Sequence, residues 1–289
     1  RAYEIKNNDG QIEQNNITKE NNTEYELLFN HQIKSIVING GLEFSRPLYK
    51  SDRINGGEQK KDVMGIFNQV AYSPLPGLDI VSGVRLDKYG DTTVVSPRLA
   101  FAYKHNDRWT YRTAYGHGFR APSFMESLID WDHVQFGYTV KGNPNLKSEY
   151  SDSYEISAIL IMGISSFNIS LYELFTTNTI ESVSTFQDNI SVSGPENLGT
   201  KRVNGIEING KIMPSKKIVI NGDLNYNTFD RKATWQNRSF DFKGNSWSSE
   251  ISSKLKFPRD LDVEMSWNYQ SGYKTIDGES FPSRFINLG

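Results

Sequence analysis

The sequence of 289 residues contains no cysteine, which removes disulfide frameworks, thiolate metal sites and a cysteine nucleophile. That usage suits a protein which crosses an oxidising periplasm without needing disulfides. No stretch approaches the roughly 18 consecutive apolar residues that a transmembrane helix requires, and the mean hydropathy is -0.56. Net charge is nearly absent too: 32 Lys and Arg against 34 Asp and Glu leave -2, so no global field points to nucleic acid or to an anionic membrane surface. Hydrolytic signatures are missing, with no Gly-x-Ser-x-Gly elbow, no His-Glu-x-x-His run and no glycine-rich phosphate loop. Asp87-Lys88-Tyr89-Gly90-Asp91 and Asn221-Gly222-Asp223 lack the ligand spacing of a calcium loop. These absences leave an outer-membrane hydrolase only as a distant alternative.

Low hydropathy does not exclude a membrane barrel, because barrel strands alternate lipid-facing and lumen-facing residues and so average to neutral. Aromatic content points the same way: 16 Phe, 15 Tyr and 5 Trp suit the girdles of such barrels. Period-2 alternation recurs from end to end. In residues 263–270, Val263, Met265, Trp267 and Tyr269 share one face and the other is wholly polar. The same pattern sets Ile36, Ile38, Leu42 and Phe44 against Asn39 and Glu43, and Leu99, Phe101 and Tyr103 against Arg98 and Lys104. It also sets Ile218, Ile220, Leu224 and Tyr226 against a row of Asn and Asp, and Ile251, Leu255 and Phe257 against Glu, Ser and Lys.

Linkers come in two alternating sizes. Tight ones lie at 73–77, 106–107, 214–215 and 258–260, and long polar ones at 49–61, 121–150, 187–202 and 230–245. Short turns at one end and long loops at the other are the grammar of an up-and-down barrel. We expect about a dozen to fourteen strands of roughly 10 residues each. The only helical signal is at 123–128, with Ser123 as cap and Glu126 three residues on. Alternation runs into Ser283-Arg284-Phe285-Ile286-Asn287-Leu288-Gly289, which predicts that residues 1–289 form an incomplete barrel, since unpaired edges are costly in lipid.

The strongest local signal is Tyr115-Gly116-His117-Gly118-Phe119-Arg120-Ala121-Pro122-Ser123, followed by Gly142-Asn143-Pro144-Asn145-Leu146-Lys147-Ser148-Glu149. Proline ends the ladder after the first box, and Gly142-Asn143-Pro144 makes a turn into a strand from about Tyr150. Together these boxes resemble the FRAP and NPNL boxes of TonB-dependent outer-membrane receptors, in particular the haem-receptor branch. Lys147-Ser148-Glu149 departs from that branch's Lys-Pro-Glu but keeps the Glu. The resemblance implies an all-β, transmembrane antiparallel up-and-down barrel, part of about 22 strands, in the outer membrane of a Gram-negative bacterium. It implies import rather than catalysis, an N-terminal plug, and a TonB box for the energy transducer, neither of which is visible in residues 1–289. Implied partners are the TonB complex and outer-membrane lipid, with a surface lipoprotein as a further candidate and no nucleic acid.

In that branch the boxes flank a loop carrying a histidine that ligates haem iron, and His133 lies between them in Asp130-Trp131-Asp132-His133-Val134-Gln135-Phe136-Gly137. A neutral imidazole can serve as an axial ligand; a lone loop histidine is otherwise a solvated or hydrogen-bonded residue. Trp131, Phe136 and Tyr138 are candidates to stack on a macrocycle, with membrane girdle as the alternative, and Tyr138 is a second candidate iron ligand. Arg120 is a candidate for a haem propionate, with a pairing to Glu149 as the structural alternative. His117 is expected in packing or girdle, and His31 and His105 as structural residues. Haem is then transported ligand, with no intrinsic cofactor. Rival readings are a receptor for a siderophore, a cobalamin or a peptide, and a structural or assembly barrel without transport.

Overall fold

The computed structural model describes residues 2–6, 12–259, 261–274 and 278–289. Its wall is a single antiparallel sheet whose path runs through β1 (Ala2–Lys6), β2 (Ile12–Ile33), β3 (Ile36–Ser51), β4 (Val63–Leu75), β5 (Leu78–Tyr89), β6 (Thr92–Lys104) and β7 (Trp109–Arg120). It continues through β8 (Glu149–Met162), β9 (Ser165–Thr177), β10 (Thr200–Ser215), β11 (Ile218–Lys232), β12 (Phe242–Phe257), β13 (Leu261–Gln270) and β14 (Ser283–Leu288). Each strand pairs with its sequence neighbour, so the sheet is an up-and-down meander, and the short strand Glu58–Lys60 adds to β3. Among the described residues β1 and β14 are each paired on one side only.

Register carries the sequence alternation across the whole wall. One transverse row joins Leu27, Leu42, Ile66, Leu86 and Val95, and another joins Ile156, Leu171, Ile206, Tyr226 and Trp247. Every one of these side chains is more than a third exposed, as a lipid-facing surface requires. The opposite face is polar and hydrogen-bonded. Arg85 bridges Glu43 at 2.5 Å and Asp87 at 2.8 Å, Tyr172 donates its hydroxyl to Asn227 at 2.5 Å, and Asn209 donates to Asp223 at 2.6 Å. Gly205 makes room for Tyr172, whose ring would stand 2.1 Å from any Cβ there.

Most wall strands exceed the expected ten residues; β2 has 22 and β3, β10 and β12 have 16. The extra length lies past the apolar rows, where polar residues still pair through their backbones. Among the described linkers, alternation of size holds with one exception: Gly90-Asp91 alone joins β5 to β6 at the long-loop end. The stretch 187–202 expected as linker holds the strand Ile190–Asn197, and the turn expected at 214–215 lies at 216–217, after a bulge between Ile212 and Ser215.

Candidate functional site

The two sequence boxes meet in space. The first turn after β7 is a single turn of helix, Phe124–Leu128, closed by a reciprocal capping box: Glu126 N–H donates to Ser123 Oγ at 3.1 Å and Ser123 N–H donates to Glu126 Oε2 at 2.8 Å. Arg120, the last residue of β7, donates to Glu126 at 2.9 Å and to Glu149, the first residue of β8, at 2.7 Å. Burial alone pushes the Glu126 carboxyl up, but the Ser123 N–H and the Arg120 guanidinium outweigh it and hold it below its ordinary 4.5. Glu126 also offers its backbone carbonyl to Asn143 N–H at 2.9 Å, while the Asn143 side chain accepts from Asn145 N–H and donates to Glu196. Gly142 sits against the helix end, where a Cβ would meet the Leu128 nitrogen at 2.6 Å.

Between the boxes the chain makes a hairpin, Asp130–His133 with Tyr138–Lys141, joined by the turn Val134–Phe136 and a left-handed Gly137. Tyr138–Lys141 pairs in parallel with Ile190–Asn197, which pairs with Ile180–Gln187, so two long loops fuse into a four-stranded sheet beyond the wall. Asn197 fixes the junction by accepting from Lys147 N–H at 2.8 Å and donating to the Lys147 and Asn178 carbonyls. Beneath it Val183, Leu198 and Ala233 form a small buried core with Trp235 and Phe240 packed on it. Arg231, 3% exposed, pairs with Glu181 at that junction.

His133 faces Tyr138 across the hairpin and is 6% exposed. Its ring centroid lies 4.4 Å from Trp131 edge-on, 5.1 Å from Tyr138 and 5.8 Å from Phe136. Neither imidazole nitrogen has a hydrogen-bond partner among the described residues, and the Trp131 indole N–H is also unpartnered. The Arg53 guanidinium lies 4.4 Å over the Trp131 ring. Four of the sequence candidates, Trp131, His133, Phe136 and Tyr138, are thus one cluster. Arg120 stands apart from it, with its guanidinium on Glu126 and Glu149.

His117 takes the packing place expected of it, 2.9 Å from Asp152, which also accepts from the Tyr115 hydroxyl, and stacked 6.0 Å from Tyr150. Arg53 and the second loop, 178–199, were not among the candidates; neither carries a local motif, and only the long-range pairing brings them near His133.

A family model described as TonB dependent receptor-like, beta-barrel, matches residues 3–273. The iron-regulated outer membrane virulence protein of Vibrio cholerae serotype O1 is 37% identical over 84 residues, which are 28% of this chain and 13% of that protein. A mutant of the ferric enterobactin receptor PfeA from Pseudomonas aeruginosa superposes with a TM-score of 0.74 over 98% of this chain and 47% of its own, at 13% identity. The siderophore receptor PirA from Pseudomonas aeruginosa gives 0.68 over 94% and 57% at 15% identity, and the FrpB iron transporter from Neisseria meningitidis 0.69 over 95% and 48% at 11%. The chain spans about half the length of these solved structures. At these identities the superpositions establish the fold alone.

Proposed function

Because the chain belongs to the TonB-dependent receptor β-barrel family and lies in the outer membrane of a Gram-negative bacterium, we propose that its outer loops capture haem or a similar iron-bearing ligand for import. The observation that carries this reading is His133, a buried imidazole with both nitrogens unpartnered inside an aromatic cluster. A buried polar group without a partner costs on the order of 1–3 kcal/mol. A ligand that supplies a partner recovers that cost. An iron centre suits an imidazole nitrogen, and Trp131, Tyr138 and Phe136 suit a flat conjugated ring. Both nitrogens are enclosed, so ligation requires the imidazole to turn out past Phe136, which is 72% exposed at the hairpin turn. The Arg53 guanidinium stacks over the Trp131 ring of this cluster and is a candidate to meet a carboxylate of the ligand, whereas Arg120 is engaged by Glu126 and Glu149. Import is energised by TonB through a plug in this reading, as the family implies.

A second reading, a ferric siderophore as ligand, is favoured by the names of the solved relatives PirA and PfeA. Binding of haemin, a ferric tris-catecholate and a ferric trihydroxamate to the purified chain in detergent micelles, read by quenching of Trp131 fluorescence against a Trp131→Phe control, tests the proposal. Saturable quenching by haemin alone is the expected result. Quenching by a siderophore and not by haemin transfers the reading to the second ligand class, and quenching by none of them refutes both.

A further inference from the structure

The pairing of the loop sheet places His133, Tyr138, Ser191 and Phe186 in one transverse row. Residues directly opposite in neighbouring strands present their side chains on one face. Phe186 therefore stands two strands, roughly 10 Å, from Tyr138, on the same face as the His133 cluster. The other face is occupied: Val183 and Thr139 are 7% and 6% exposed, and Val183 packs on Leu198 and Ala233. Packing therefore explains Val183 and leaves Phe186 unexplained, at 81% exposure in a paired strand.

We infer that Phe186 is a ligand-contact residue, the second aromatic wall of the His133 site, contributed by the loop 178–199 rather than by the loop between the two boxes. A flat conjugated ligand anchored through its iron at His133 lies over Tyr138 and toward the Ser191 position, and its rim is met by the Phe186 side chain, whose strand stands three spacings, roughly 15 Å, from that of His133. Two independent observations converge on this face. One is the buried, unpartnered imidazole at one end of the row, and the other is the exposed aromatic at its far end. The inference rests on the haem reading above and adds to it the reach of the site across two loops.

The test uses the full chain in detergent micelles with two probes, haemin and iron-free protoporphyrin IX. Since Phe186 meets the ring and not the iron, F186S weakens both probes about 3- to 10-fold, the range of an aromatic contact, and leaves the Soret band of bound haemin unchanged. F186W retains both affinities. H133A, in contrast, weakens haemin and moves its Soret band while protoporphyrin stays near the parent. If the parent shows the His133-dependent Soret band and F186S still binds both porphyrins at parental strength, this inference is overturned and the function reading stands. If the parent binds neither porphyrin, both are overturned. Phe186 is largely solvated, so F186S does not threaten the fold.

Discussion

Replacing Glu126 by Ala tests whether the two sequence boxes act as one fastener. The substitution removes the acceptor for Ser123 N–H at 2.8 Å and one of the two carboxylates held by Arg120. The reciprocal half of a capping box is worth about 1 kcal/mol. The ion pair to Arg120, whose side chain is 45% exposed, is screened and adds about 0.5–1 kcal/mol. Local opening of residues 121–148 is then easier by about 1.5–2 kcal/mol, so amides there exchange roughly 10- to 30-fold faster. Hydrogen exchange read by mass spectrometry should show this at Ser127, Ile129 and Asn143, whose N–H groups bond to Ser123, Met125 and Glu126. Amides of the wall strands should not change. Glu126→Gln keeps an oxygen for the cap but loses the charge, and should fall between. Because the folded carboxyl titrates below 4.5, its contribution is complete above that pH and is lost as pH falls through the lowered value. Parental exchange at Asn143 that matches Glu126→Ala at neutral pH would refute the fastener.

Three further outcomes follow from the wall and the loops. Ile208 lies on the lipid face and Asn225 on the lumen face, so Ile208→Lys should destabilise the folded barrel by about 2–4 kcal/mol while Asn225→Lys is tolerated, as read by urea unfolding in lipid vesicles. Arg231 is 3% exposed and Glu181 is partly solvated, so Glu181→Gln leaves a buried cation short of its partner and should release the loop sheet more than Arg231→Met does, with limited proteolysis as the readout. Gly205→Val places atoms where the Tyr172 ring lies, and should lower the thermal midpoint of the barrel by overpacking of about 1–3 kcal/mol, followed by heat-dependent gel mobility.

The apolar face was legible in the sequence because period-2 alternation is a local property: Val263, Met265, Trp267 and Tyr269 lie on the face predicted for them, continuous with Ile251 and Leu255. The helical turn at Ser123 was legible for the same reason, since a cap and its Glu lie three residues apart. Strand lengths were not, because outside the bilayer a strand is held by backbone pairing and needs no alternation, as in the polar start of β2 and the rim of β10. Ile190–Asn197 was hidden more deeply. It carries Pro195 and few large apolar residues, and its pairing with Tyr138–Lys141 joins segments about fifty residues apart. The His133 cluster was half legible: Trp131, His133, Phe136 and Tyr138 are near in sequence, whereas Arg53 reaches Trp131, and Phe186 enters the same transverse row, only through long-range pairing. Arg120 came out differently again, since the bonding of its guanidinium to Glu126 and Glu149 fits the pairing role that its neighbour in the second box offered.

The proposed contact of His133 with iron is open to direct measurement. Its most direct measurement is the absorption spectrum of ferric haem titrated into the full chain, parent against His133→Ala, in detergent at neutral pH. A saturable Soret shift characteristic of imidazole ligation is expected in the parent and its loss in the variant, with the barrel of both equally resistant to heat. A variant that binds haem as tightly as the parent, with the same Soret band, would contradict it.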